Sequence, residues 1–345
     1  MNVGRIRLSR VSPLKLGLGI SGVLLVAFLA WETAFDRWPG IIDAARAGAL
    51  SRQPVGILRD FRIGLVHVLM VGYLPAALLA VVRGGRRTVY ELQGALACTD
   101  DECAALAASV RLLPSGLAVA AVVGLLFGFA SPYITPPVPA HLWDPQTWNP
   151  EVAWHRVLGP FVAAAGFLLS YAVVAVSRRM SQLAASLSAV DLLDLRPLQP
   201  FTRLGLTNAL LGLGFISIAG LMVVTEAGFG LLGLIFGPGI LLVSGAALLL
   251  PMRGVHARIR QAKADELTWV DDRILDQRTT LKLDGRAKAP GELADLAAYR
   301  KLVEGVPDWP VGASSYMRFA LYLLIPLLSW AAAALVERFV NALIS

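Results

Sequence analysis

Charge is scarce in this sequence. Asp, Glu, Lys and Arg make up 16% of the 345 residues, where a soluble domain carries about 25%. That shortage excludes a surface facing water all round. Cysteine is scarcer still, with only Cys98 and Cys103. Two thiols exclude a disulfide framework, and their loop offers too few other ligands for a structural zinc. Free thiols are expected if that loop is cytoplasmic, whereas a bond between them points to an oxidising compartment. The four histidines, His67, His141, His155 and His256, lie far apart, and none belongs to a His-Glu-x-x-His pair. Also missing are a Gly-x-Ser-x-Gly elbow, a phosphate-binding glycine loop and an acidic cluster within the apolar runs. No enzymatic activity, metal or cofactor is therefore expected. The net charge of +7 does not indicate nucleic acid, because no basic patch is interleaved with stacking aromatics.

What the chain has in abundance is apolar sequence, 56% of its residues. Seven runs approach the roughly 20 residues that a helix needs to cross hydrocarbon. They lie at about 16–35, 63–82, 112–133, 157–177, 204–225, 227–252 and 319–336. The fold class expected is all-α, an integral bundle of about seven transmembrane helices, in which 1–252 holds six spans and 311–345 the last. Arg5, Arg7, Arg10 and Lys15 before the first run resemble a signal n-region. No small-x-small cleavage site follows, so an uncleaved span is expected.

Basic residues set the orientation. They crowd the N-terminus and the loops after the second span (Arg83, Arg86, Arg87), the fourth (Arg178, Arg179, Arg196, Arg203) and the sixth (Arg253, Arg258, Arg260, Lys263). With seven spans all four lie on one side, which makes the N-terminus cytoplasmic and the C-terminus periplasmic in an inner membrane. The first loop, with Arg37, Arg46, Arg52 and Arg59, departs from that pattern.

Residues 253–308 contain 21 of the 55 charged residues, and charge mixed this densely marks a solvated segment. Val255, Ile259, Ala262, Leu267, Val270 and Ile274 form one stripe at helical spacing, so the sixth span is expected to continue as a helix. A second helix over 292–304 follows Pro290-Gly291. The resulting cytoplasmic hairpin over 253–310 either packs on itself or mates, through Val255, Ile259, Val270 and Ile274, with another subunit. Gly237-Pro238-Gly239 interrupts the sixth span and predicts a kink or unwound turn, a gating candidate. Glycines 228, 230, 233, 237 and 245 alternatively let that span pack closely on the fifth. Pro75 and Pro326 are further kink candidates. His67 is the one ionisable group clearly inside a span, either bonded to a backbone carbonyl or handling protons. Glu32, Glu226 and Glu337 are expected at solvated span ends. Asp191 and Asp194 are expected on an amphipathic surface helix. Tyr322, Pro326, Ser329 and Trp330 give the last span a polar stripe suited to a pore, and Glu337 with Arg338 suits an ion pair between subunits.

The run from Tyr299 to Glu304, Val306-Pro307-Asp308-Trp309-Pro310 and the stretch Arg318 to Arg338 resemble the tail of a family of prokaryotic membrane proteins with no assigned activity. So does Pro251-Met-Arg-Gly-Val-His256 with Lys263, Glu266 and Leu267. In topology the chain resembles the insect odorant and gustatory receptor channels, although their Thr-Tyr and Gln-Phe signature is absent from the last span. That likeness implies a homo-oligomer with residues 253–308 as its anchor and 318–336 lining its pore. Three functions follow as expectations: an oligomeric ion channel, a non-conducting sensor or scaffold acting through 253–310, and a small-molecule transporter.

Overall fold

In a computed structural model the chain is described over residues 11–48, 56–134, 144, 148, 150–188, 190–225, 228–229, 231–284, 291–311, 315, 317–325 and 328. Ten helices carry the described fold: α1 (Pro13–Ala34), α2 (Trp38–Gly48), α3 (Gly56–Glu91), α4 (Gln93–Leu96), α5 (Asp100–Ser109), α6 (Pro114–Ile134), α7 (Pro150–Leu183), α8 (Gln199–Val223), α9 (Leu231–Asp284) and α10 (Glu292–Glu304). A two-residue antiparallel pair, Val224–Thr225 with Gly228–Phe229, turns the chain between α8 and α9. The class is all-α, as composition predicted.

Five stretches are long and apolar enough to cross a membrane: Pro13–Ala34, Phe61–Glu91, Asp100–Ser131, Ala153–Ser186 and Arg196–Leu221. They coincide with the first five expected runs. Such runs identify a membrane protein because only a helix satisfies its own backbone polar groups in hydrocarbon. Exposed Leu18, Val23, Val26, Val119, Leu126 and Phe161 on these helices suit contact with lipid.

The helices alternate in direction. α1 lies antiparallel to α3, with Gly17 against Gly72 and Phe28 against Gly64. α6 runs against α7, and α8 against both α3 and α9. The core runs between α3, α7, α8 and α9, through Leu74, Val81, Ala172, Met180, Phe201 and Met252. Arg83 and the Val11 carbonyl bond at one end of the bundle. There Arg86 donates to the Val110 carbonyl at 3.1 Å and Arg179 to the Ser109 hydroxyl at 2.9 Å. The basic loops thus share one end, called the basic end below.

Several expectations change. α9 is one helix of 54 residues, about 80 Å at 1.5 Å per residue, and it contains no unwound turn at Gly237-Pro238-Gly239. Pro238 and Gly239 are exposed, so the freed backbone group there has no neighbouring helix pressed upon it. Close packing of α8 on α9 uses glycines of α8, while the surroundings of Gly228, Gly230, Gly233 and Gly237 lie outside the described residues. A Cβ at Gly205 meets the Leu248 carbonyl oxygen at 2.6 Å, and one at Gly212 meets the Ser244 hydroxyl at 2.5 Å, whereas Gly239 and Gly245 face open space. Pro75 lies within continuous α3. Asp191 and Asp194 form turns, not a helix: Asp191 accepts from the Leu193 N–H at 2.8 Å and Asp194 from the Arg196 N–H at 3.1 Å. Short acidic side chains compete for nearby N–H groups, and regular helix begins only at Gln199. The Arg196 hydrogen bonds hold the Asp194 carboxyl down at about 2. This pair stabilises the folded state above the usual carboxylate range and is lost as pH falls towards 2.

Cys98 and Cys103 are joined in a disulfide at the start of α5, against the expectation of free thiols. Thr99 and Glu102 close a capping box there, which brings the two cysteines within one turn. Among the last-span residues, Tyr322 is half-buried and packs on the core. Residues 317–325 are helical. The side chains of Pro326, Ser329, Trp330, Glu337, Arg338 and Glu226 lie outside the described residues.

Gly254 of α9 sits so close to α7 that a Cβ would collide with the Ser181 carbonyl. Gly254→Ala is expected to destabilise the protein by about 1–3 kcal/mol, while Gly245→Ala leaves stability unchanged. Thermal unfolding of both variants in one detergent checks this.

Candidate functional site: a buried acid and a histidine pair

At the end of the bundle opposite the basic end, α1, α3 and α7 converge. Phe28 of α1 drops into the notch left by Gly64 of α3, where any Cβ would collide with its ring. That contact draws the two helices together. Phe28 also packs on Phe61 and on Trp154, with ring centroids 5.3 Å apart in both cases. Trp31 lies 6.1 Å from Trp154 and donates its indole N–H to the Pro150 carbonyl at 3.1 Å.

Beneath this aromatic cover lies Glu32, one helical turn from Phe28 on the same face of α1. Its side chain is 0% exposed, and neither carboxyl oxygen has a hydrogen-bond donor. The expectation of a solvated span end is therefore overturned. Position along the span was the wrong measure, because Phe28 and the tryptophans seal α1 against its neighbours. A buried carboxyl without donors is uncommon in folded proteins, and within a membrane helix it marks a functional position.

One turn beyond Gly64, His67 is fully buried at 1% exposure. Its Nδ1 lies 2.8 Å from the Ile63 carbonyl, so the carbonyl bond expected for it is present. Its Nε2 lies 3.0 Å from Nδ1 of His155 on α7, and the rings meet edge to face at 4.7 Å. A carbonyl only accepts, so His67 Nδ1 carries hydrogen and, in the neutral ring, Nε2 accepts from His155. One further proton fits the pair. Arriving at His155 Nε2, it crosses the shared bond by transfer from His155 Nδ1 to His67 Nε2. Two protons would set like charges 3.0 Å apart. Arg37, in the turn after α1, and Arg156 of α7 lie near Glu32 and His155 respectively, and each has further polar partners.

The sequence marked His67 alone; the structure adds a buried carboxyl at Glu32 and a ring partner for His67 in His155. His155 stands 88 positions away, so no local spacing joins the two rings. The one available signal was Trp154-His155-Arg156 at the start of an apolar run. A second interior contact also escaped notice: Asn208 of α8 and Ser177 of α7, both fully buried, approach at 3.5 Å. Among the described residues no cluster of three or more His, Cys, Asp or Glu could hold a metal.

The basic end carries the arm formed by α9 and α10. Val255 and Ile259 belong to the bundle core, and Val270 is fully buried beside α10; Ile274 is half-buried. Within the chain, α9 and α10 pack on each other as a hairpin. Tyr299 donates to Glu266 at 2.9 Å, Arg300 to Asp271 at 2.6 Å and Gln277 to Glu292 at 2.7 Å. At the root His256 stacks on Trp309 with centroids 4.2 Å apart and bonds the Asp308 carbonyl at 2.8 Å. Lys263 donates to the Val306 carbonyl at 2.8 Å and Thr202 to the Pro310 carbonyl at the same distance. No protein family model, curated protein or solved structure matches the chain.

If His155 supplies the hydrogen bond, His155→Leu strands a fully buried acceptor on His67 and lowers stability by about 1–3 kcal/mol. The double variant His67→Leu with His155→Leu should lose less than the two single losses combined. Unfolding free energies for the four proteins check the coupling, and strict additivity refutes the bond.

Proposed function

We propose that this chain is a non-conducting membrane sensor that passes a change of state at the bundle end holding Glu32 and the His67–His155 pair to the α9–α10 arm. One observation carries the reading: α9 runs without a break from an apolar stretch free of charge, Leu231 to Leu250, into an arm clamped to the bundle root. A continuous helix transmits a shift at one end to the other. The buried, protonatable groups supply an input, and the arm, with its charged and solvated surface, supplies an output. In this reading the apolar third of α9 and the last run are the sixth and seventh spans. The basic end and arm are then cytoplasmic, the C-terminus is periplasmic, and the membrane is a bacterial inner membrane. The Cys98–Cys103 disulfide argues the other way, since it sits at the basic end. Twelve or more arginines and lysines distributed over several loops outweigh one pair of cysteines.

The channel reading, with a pore lined by the last span around Tyr322, requires a ring of subunits. The arm stripe that was to join them is occupied within the chain, so the sensor reading ranks above it. The buried acid and histidine pair are also compatible with a transporter.

Mass photometry in nanodiscs, with hydrogen exchange of α10 at two pH values, separates these outcomes. A monomer or dimer whose α10 exchange responds to pH, and whose response disappears in Glu32→Gln, is the expected result. A tetrameric ring that conducts in bilayers overturns it, as does α10 exchange indifferent to pH. For orientation, a single cysteine at Thr280 in a Cys98→Ser, Cys103→Ser background should react with impermeant maleimide only after the inner membrane is opened. Labelling of intact spheroplasts reverses the topology.

A further inference from the structure

Where the arm meets the bundle, a cleft of about 520 Å³ opens between the start of α8 and the segment that follows α10. Its size falls within the range of small-ligand pockets. Three arginines line it, Arg196, Arg203 and Arg318, against one acid, Asp194. They come from two parts of the chain more than 100 residues apart. Arg196 is committed to Asp194, through bonds of 2.7 and 2.8 Å. Arg203 reaches Glu91 with a single nitrogen at 3.4 Å and leaves its other donors open. Arg318 is exposed, and among the described residues no carboxylate pairs with it. Gln199 and Ser315 add neutral donors at the rim, while Leu206, Trp309, Pro310 and Val311 make an apolar wall. The Thr202 hydroxyl is already spent on the Pro310 carbonyl.

Depth fixes what such a cleft can meet. The apolar stretches Phe61–Glu91 and Arg196–Leu221 both end here, and the Arg203–Glu91 contact ties those ends together. The cleft therefore lies at the ends of two membrane-length helices, where lipid headgroups are within reach. Guanidinium groups bind phosphate oxygens by paired hydrogen bonds. An apolar wall beside them suits the glycerol and first methylenes of a lipid.

We propose that this cleft is a phosphate-binding site at the root of the arm, with Arg203 and Arg318 as its anion ligands and an anionic phospholipid as its occupant. Its position at these helix ends, within reach of headgroups, favours lipid over a free phosphorylated compound. Arg196 is held in reserve by Asp194, so the acid sets the affinity. Occupancy joins α8 to the segment that anchors α10 and α9, and so stiffens the arm root. The binding claim rests on the cleft alone and does not depend on signalling through the arm.

The test uses the full chain in detergent, by native mass spectrometry with phosphatidylglycerol or phosphatidylcholine, beside calorimetric titration with inorganic phosphate. Phosphatidylglycerol should bind in preference to phosphatidylcholine, and Arg203→Gln and Arg318→Gln should each weaken it roughly fivefold. Asp194→Asn frees Arg196 and should tighten binding, which keeps the proposal testable if an arginine variant misfolds. Arg273→Gln, on the far part of the arm, should bind as the parent does. Phosphatidylglycerol binding without inorganic phosphate binding assigns the lipid. Inorganic phosphate binding that is lost in the arginine variants supports the anion site but overturns the lipid as its occupant. Equal retention of both lipids, or phosphatidylglycerol binding unchanged in both arginine variants and in Asp194→Asn, overturns the site altogether.

Discussion

The short segment from Val306 to Val311 gives three of its backbone carbonyls to side chains on two helices. Lys263 and His256 of α9 take those of Val306 and Asp308, and Thr202 of α8 takes that of Pro310. The chain beyond α10 cannot form its own helical bonds here, because Pro307 and Pro310 remove donors. It is satisfied from outside instead, and the satisfaction fixes geometry. Trp309 is held flat on His256, α10 is returned along α9, and the remainder of the chain is delivered to the face of α8. Charged and neutral hydrogen bonds of this kind contribute about 1 kcal/mol each in net terms, but their geometric effect reaches the whole arm. His256, Lys263, Asp308 and Trp309 meet in this clamp.

Within the bundle, contact between helices relies on small residues rather than on a hydrophobic driving force. Lipid is as apolar as leucine, so helices associate where backbones can approach. Gly64 admits Phe28, Gly205 meets the Leu248 carbonyl and Gly254 lies against Ser181. The first of these contacts accompanies the burial of Glu32 without donors, at the same end of the bundle as a pair of histidines that share one hydrogen bond.

Much of the architecture was legible in one dimension. Apolar runs located α1, α3, α6, α7 and α8, although α3 and α7 extend well past their runs at both ends, and α10 falls on the 292–304 helix read from Leu293, Leu296, Tyr299 and Val303. The extension of α9 past residue 252 was readable from its stripe. Other features misled. Gly237-Pro238-Gly239 predicted an unwound turn, but proline costs a membrane helix only one bond, and local adjustment absorbs it. Glu32 was placed in water because it ends an apolar run, and the disulfide was missed because side of membrane was used to judge the state of the thiols. Asp191 and Asp194 matched a helical spacing that their own side chains defeat by bonding nearby N–H groups.

The sequence by itself determined the class of this protein, since helix length and apolar content follow from the thickness of a bilayer and the need to satisfy the backbone. It also determined that basic residues gather at one end, because alternation of direction follows from counting spans. Tertiary structure alone decided which polar groups meet. His67 and His155 are brought together by the parallel register of α3 and α7, and Arg203 and Arg318 by the return of the chain from the arm. Glu32 is buried where α1 packs against α3. Such contacts depend on rotation and register between helices, which packing of small residues sets and which no local pattern records.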